Sequence, residues 1–230
     1  MKRIVVLSGS GISAESGIKT FRDSDGLWEN YKIEDVCTYD AWLNNPDLVL
    51  EFYNQRRKQL HEVKPNKAHF SLVDLEKKFD VQLITQNVDD LHERAGSTNV
   101  LHLHGELRKV RSTIDEKLVH ELEHWELKKG DLFEKGSQLR PHIVWFGEAV
   151  PMMENAAQLC KTAEMLIICG TSLQVYPAAS LIHYVPKGIP IYLVDPSDFN
   201  TEMYPPIEFI QENASVGIPQ VVNNILGEEA

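Results

Sequence analysis

RIVVLSGSGISAESGIKTFR, Arg3 to Arg22, is the stretch on which the fold turns. Its opening run, Arg3 to Ser8, is short, apolar through Ile4 to Leu7 and rich in β-branched residues, and it meets Gly9 and Gly11 at once, as a buried strand entering a tight turn does. Gly9, Gly11 and Ala14 fit G-x-G-x-x-[GA], a pattern in which backbone N–H groups and the N-terminus of a following helix cradle a pyrophosphate. Alone the match is weak, because glycines also serve a plain strand-to-helix turn. The acidic ribose ligand that a dehydrogenase places about 20 residues further on is absent, since Glu34 and Asp35 follow no second strand.

Outward from this stretch the pattern repeats. Val81–Thr85, Glu164–Cys169 and Pro190–Val194 are short apolar runs separated by helical patterns such as HFSLVDLEKKF and PAASLIHYV. That alternation predicts an α/β fold, a Rossmann-like parallel sheet flanked by helices. Pro46 to His61 starts with proline at a first helical position and repeats apolar residues at helical spacing, predicting a helix outside the strand series. DEKLVHELEHWELKKGD, from Asp115, predicts a charged amphipathic helix ending near Gly130. The expected organisation is one catalytic domain over 1–230. Its core spans 1–26, 64–106 and 143–230, with a helical insertion at 27–63 and a small module at 107–142.

Lys+Arg 23 against Asp+Glu 34 leaves a net charge of −11, which opposes general binding to nucleic acid or anionic lipid. Ile4 to Leu7 is too short for a signal sequence and no apolar run reaches membrane-spanning length, so a cytoplasmic monomer is expected. Cys37, Cys160 and Cys169 show no paired spacing and predict no disulfide framework.

Five segments then occur in a telling order: GSGISAESGIKTFR (Gly9–Arg22), TQNVDDLH (Thr85–His92), HLHG (His102–Gly105), HIVWFGEAVP (His142–Pro151) and GTSLQVYPA (Gly170–Ala178). Together they resemble the sirtuins, the Sir2 family of NAD-dependent protein deacylases, across nearly the whole chain. The resemblance implies attack by an acyl-lysine carbonyl oxygen on the nicotinamide ribose of NAD, with nicotinamide and O-acyl-ADP-ribose as products. His104 would be the general base, imidazole being able to accept a proton at cellular pH. His102 would point the other way along an extended segment and be structural.

By the same resemblance Gln86 and Asn87 would contact the nicotinamide-side ribose and Asp89 the carboxamide of nicotinamide. Phe21 would shield the reacting ribose and Arg22 would order the loop. Gly9, Ser10, Gly11, Ser13, Gly170, Thr171, Ser172, Asp195 and Ala214 complete the cofactor set. Val144, Phe146, Gly147 and Glu148 would pair with the substrate backbone, giving affinity with little sequence preference. Tyr53 and Arg56, three apart on one helix face, match the YxxR pair of class III sirtuins, which take succinyl, malonyl and glutaryl lysine. A guanidinium and a phenol suit a distal carboxylate. Read as pattern alone, Arg56-Arg57-Lys58 is a solvated charge run.

The chain departs from the family at Ser10, usually alanine, at Lys19, usually proline, and at Asp195, commonly asparagine, which puts NAD affinity in question. Sirtuins also carry two cysteine pairs between the HG and WFGE segments, and this chain has none there, so no zinc is expected. His120, Glu121 and His124 spell H-E-x-x-H, which on a helix would suggest a metallopeptidase, though a solvated helix is the plainer reading. An ADP-ribosyltransferase or NAD glycohydrolase would share the first chemical step and is the nearer alternative.

Overall fold

The computed structural model describes residues 1–19, 27–28, 31–134, 136–200 and 206–228. Its strands are β1 (Arg3–Ser8), β2 (Leu27–Trp28), β3 (Tyr31–Lys32), β4 (Asp80–Thr85), β5 (Val100–His102), β6 (Gly105–Ser112), β7 (Val119–Glu121), β8 (Leu139–Ile143), β9 (Met165–Cys169), β10 (Ile191–Val194) and β11 (Glu208–Ile210). The helices are α1 (Gly11–Ala14), α2 (Ile33–Val36), α3 (Tyr39–Asn44), α4 (Pro46–Glu62), α5 (Lys67–Leu75), α6 (Leu91–Ala95), α7 (Met153–Lys161) and α8 (Ala214–Glu228). A 3₁₀ helix covers Ala178–Tyr184.

Six strands form one parallel sheet in the order β11-β10-β9-β1-β4-β5. The alternation in β1 explains the layers. Ile4 and Val6 join Ala68, Leu72 and Leu75 of α5 and Ile218, Val221 and Ile225 of α8 in one core. Val5 and Leu7 face the other way, onto Ala156 and Cys160 of α7 and Leu181 and Ile182 of the 3₁₀ helix. A strand covered on both faces must be apolar throughout, as this one is. The fold expectation therefore holds.

Strand β1 leads to β4 on one side and to β9 on the other, so the chain reverses direction across the sheet at β1. Ligands in open α/β sheets bind outside the carboxyl ends of the strands at such a switch point. Here those ends bring together Gly9, Gln86, Gly170 and Asp195.

A third core joins the insertion to the small module: Val49, Leu50, Phe52, Tyr53 and Leu60 of α4 pack with Leu107, Val110, Leu127, Leu139, Ile143 and Trp145. The module is a three-stranded antiparallel sheet, β7-β6-β8. This corrects the helix expected from Asp115 to Gly130. His120 lies on β7, so the two histidines of H-E-x-x-H share no helix face. The reason is tertiary. Leu127 donates its N–H to Asn54 Oδ1 at 2.8 Å and accepts from Asn54 Nδ2 at 3.0 Å, while Arg57 Nε donates to the Trp125 carbonyl at 2.7 Å. Side chains of α4 thus satisfy backbone groups that a helix would have satisfied internally, and weak local propensity yields to them. Arg56 and Arg57 are buried and only Lys58 of the run is exposed, so the run is not the solvated face that pattern alone suggested. Burial lowers the Arg57 pKa to about 10.

Among the described residues no helix is long and apolar enough to cross a membrane. The three cysteines are buried thiols.

Candidate active site

The glycine loop works by close approach. Gly9 N–H donates to the Cys169 carbonyl at 3.0 Å and Gly11 N–H to the Gly170 carbonyl at 2.9 Å. A Cβ on Gly11 would stand 2.6 Å from Gly170 Cα, and one on Gly9 would stand 2.7 Å from the Gly170 oxygen. The amides of Ile12 and Ser13 donate to Gly9 and Ser10 carbonyls. These four N–H groups are engaged inside the chain, and α1 is only one turn long. The glycines allow the β1 loop to sit close against the β9 loop. Ser10, Thr171 and Ser172 supply hydroxyls there, and Thr171 Oγ1 accepts from Gln86 Nε2 at 3.2 Å. Asp195 closes β10 in a buried position, with Ser197 N–H donating to its Oδ1 at 3.0 Å. Ala214 opens α8 within the core that holds Ile12, and Ser215 ties the same end to Glu15 in the glycine-loop segment.

The TQN segment leaves the end of β4 beside this loop. Asn87 Nδ2 donates to Ser13 Oγ at 3.1 Å, Ser13 Oγ donates to Asp89 Oδ2 at 3.0 Å, and Leu91 N–H donates to Asp89 Oδ1 at 3.1 Å. Burial raises the Asp89 pKa, against the lowering pull of the Leu91 and Ser13 bonds. Asp89 keeps acceptor capacity beyond these two bonds, as a carboxylate with about four lone-pair sites must.

Two histidines flank the segment in opposite states. His104 Nδ1 lies 3.0 Å from the Gln86 carbonyl. Since a carbonyl only accepts, the hydrogen is on Nδ1 and the Nε2 lone pair is available. Burial lowers the His104 pKa, and the Gln86 bond offsets this in part, so the ring is neutral at cellular pH. His102 contacts the Asn87 carbonyl through Nδ1 at 3.0 Å and Glu93 Oε1 through Nε2 at 2.7 Å. Two acceptors call for two N–H groups, which is the imidazolium. Burial opposes that charge, but Glu93 outweighs it and raises the pKa.

The WFGE segment crosses from the small module toward α2 and α3. Val144 N–H donates to the His104 carbonyl and Phe146 N–H to the Cys37 carbonyl, each at 2.9 Å. Phe146 is half exposed, at 49%. Gly147 has φ +88, a left-handed turn that suits glycine. Glu148, expected to touch substrate backbone, has its carboxylate occupied. Arg140 reaches it through Nη1 at 2.8 Å and Nη2 at 2.9 Å, Arg111 through Nη2 at 3.3 Å, and Trp145 N–H at 2.8 Å. Burial pushes the Glu148 pKa up, but the Arg140 bonds hold it below the usual range. Sequence reasoning missed Arg111, Arg140 and Trp145; the signal available was an arginine just ahead of a WFGE segment.

Tyr53 and Arg56 do share a buried face of α4. The Tyr53 hydroxyl accepts from Trp145 Nε1 at 2.9 Å and donates to Cys37 Sγ at 3.7 Å. Phe21 and Arg22 lie outside the described residues. Among the described residues no group of three or more His, Cys, Asp or Glu is placed to hold a metal ion.

The donor set suits NAD: hydroxyls and amides over the strand ends, a buried carboxylate at Asp89, and a neutral imidazole beside them. Comparison with known proteins agrees. The Sir2 family model matches residues 9–177. An NAD-dependent protein deacylase of Helicobacter pylori is 58% identical over 214 residues, spanning 93% of this chain and 93% of its own. One of Bacteroides thetaiotaomicron is 52% identical over 226 residues, spanning 96% and 97%. A solved Sir2 homologue in complex with NAD superposes with a TM-score of 0.88 at 39% identity, over 100% of this chain and 91% of that one.

Proposed function

The chain belongs to the Sir2 family, and from that premise we propose that it is an NAD-dependent protein-lysine deacylase that takes succinyl and malonyl groups in preference to acetyl, yielding nicotinamide and O-acyl-ADP-ribose. The observation that carries the chemistry is the neutral His104, its Nδ1–H held by the Gln86 carbonyl and its Nε2 free to take a proton, beside the Asn87–Ser13–Asp89 network. NAD, when bound, supplies the ribose to which the acyl group passes.

Within this reading His104 Nε2 removes a proton from a ribose hydroxyl. Asn87 is oriented by Ser13, leaving its carbonyl oxygen for the ribose side. Asp89 accepts from a carboxamide NH2 with the acceptor capacity that Ser13 and Leu91 leave. Phe146, half exposed and following Val144 along the segment, lines the approach of an extended peptide. Arg56 meets the distal carboxylate through charge-assisted hydrogen bonds, whose two-pronged geometry offsets the cost of taking both charges out of water. The three unpaired thiols suit a reducing cytoplasm, and the acidic surface suits a monomer that meets lysine-rich substrates.

The test mixes the protein with NAD and one peptide carrying succinyl-, malonyl- or acetyl-lysine, reading products by mass. O-succinyl-ADP-ribose and O-malonyl-ADP-ribose are expected, formed faster than the acetyl product, with Arg56→Met reversing the order. Free ADP-ribose or ADP-ribosylated protein as the main product would instead assign an NAD glycohydrolase or an ADP-ribosyltransferase. Acetyl-lysine turnover equal to or above the rest, unaltered in Arg56→Met, removes the acyl preference.

A further inference from the structure

The hydrogen bond between Trp145 and Tyr53 has a direction fixed by chemistry. An indole Nε1 only donates, so across 2.9 Å the phenol oxygen is the acceptor. The phenol's own hydrogen must point elsewhere, and it meets Cys37 Sγ at 3.7 Å. A thiol is a weak acceptor. Burial keeps it a thiol, pushing its pKa up to about 12, and burial likewise keeps the Tyr53 phenol protonated. Tyr53 therefore holds a strong donor against a poor partner, on the face of α4 that it shares with Arg56.

The indole that imposes this direction is itself held firmly. The Arg140 guanidinium lies 3.6 Å from the centre of the Trp145 ring, and Trp42 packs with its centroid 5.8 Å away. Both Glu148 oxygens grip Arg140 in turn. An indole held by an arginine in one short segment thus reaches across to fix the state of a tyrosine on another element.

We propose that Trp145 sets acyl selectivity as a positioning residue: it fixes Tyr53 as a hydrogen-bond donor, and the Cys37 thiol parks the phenol hydrogen until a carboxylate oxygen of the acyl chain displaces it. The inference rests on the acidic-acyl reading above. A carboxylate forms a charge-assisted bond about twice as strong as a neutral one. A hydroxyl already accepting from an indole is polarised into a better donor. An acetyl methyl has no acceptor with which to use it.

Trp145→Phe keeps a ring between Arg140 and Trp42 and removes the N–H. At saturating NAD, kcat and KM are measured for one peptide in succinyl-lysine and acetyl-lysine forms. The succinyl-to-acetyl ratio of kcat/KM should fall about threefold to tenfold, the size of one hydrogen bond, and the change should lie in KM. Cys37→Ser gives the phenol a better acceptor inside the chain and should raise the succinyl KM, whereas Cys37→Ala removes the competitor and should lower it. Should Trp145→Phe fail to fold, the opposite signs of the Cys37 pair decide. Equal losses on both peptides in Trp145→Phe, or serine and alanine variants that behave alike, overturn the proposal. A wild-type protein indifferent to the acyl group overturns the acidic-acyl reading itself, before any variant is compared.

Discussion

His104 donates its Nδ1 hydrogen to the Gln86 carbonyl across 3.0 Å, and this one bond decides which nitrogen can act as a base. The backbone of the TQN segment thereby sets the tautomer, leaving Nε2 as the only proton acceptor on the ring. Glutamine at position 86 is not needed for this through its side chain, whose Nε2 goes to Thr171.

Because burial lowers the His104 pKa, its neutral form persists to more acidic pH than an ordinary histidine's. Activity should fall as pH drops through that lowered value, so the acid limb of kcat/KM lies below about pH 6.5. His104→Ala should cost about 10²- to 10⁴-fold in kcat. A pH profile of wild-type deacylation checks the first point, and an acid limb above pH 7 would refute it.

Gly170 has φ +62, and a Cβ there would stand 2.3 Å from the Ile12 nitrogen. Gly170→Ala therefore combines left-handed strain with a backbone clash, and should destabilise the fold by roughly 2 kcal/mol or more. The KM for NAD should rise as the two loops separate. Urea midpoints and NAD titration measure these effects; a variant as stable as wild type would show that the loops are not held in contact.

Arg140 and Arg111 balance a Glu148 side chain that is only 15% exposed. Arg140→Met leaves that carboxylate with Arg111 and removes the cation over Trp145, so a loss of about 3 kcal/mol or more is expected, as for other broken buried pairs. Glu148→Gln with Arg140→Met together should lose less than the sum of the single changes. Additive losses in a double-mutant cycle would mean that the two groups do not interact.

The His102–Glu93 pair gives a pH signature of its own. Burial opposes the imidazolium, but Glu93 raises the His102 pKa, so its contribution is complete below the ordinary histidine value and is lost as pH rises through the folded-state value. The Glu93 pKa is depressed by His102 despite burial, so its share is lost as pH falls through that depressed value. The stability gap between wild type and Glu93→Gln should therefore be widest between about pH 4.5 and 6.5 and should shrink above it. Denaturation midpoints from pH 5 to pH 9 test this. A gap that grows with pH would contradict the pairing.

Local sequence was enough for four of the sheet's six strands. The run Arg3–Ser8 and its three counterparts are apolar on both faces and bounded by turns, so their strand ends fall within a residue of where the pattern puts them. The short strands β5 and β11 carry too few residues to announce themselves by periodicity. The resemblance of the HG and TQN segments to the family's motifs implied that His104, Asn87 and Asp89 share one site, and in the structure the paired strands β4 and β5 deliver both segments to the same edge of the sheet.

Sequence alone thus determined what depends on neighbours in the chain: the alternation of elements, the glycines at the β1 turn and the family's ordered motifs. Tertiary structure alone decided what depends on partners distant in sequence. Asn54 and Arg57 took the backbone of Trp125 and Leu127 out of the expected helix. The His102–Glu93 and His104–Gln86 contacts made one imidazole a cation and the other a base. Trp145, ninety-two positions from Tyr53, fixed the direction of its hydroxyl. The physical reason is common to all three: propensity and pattern are local and weak, whereas a buried hydrogen-bonding group must find a partner wherever the fold supplies one.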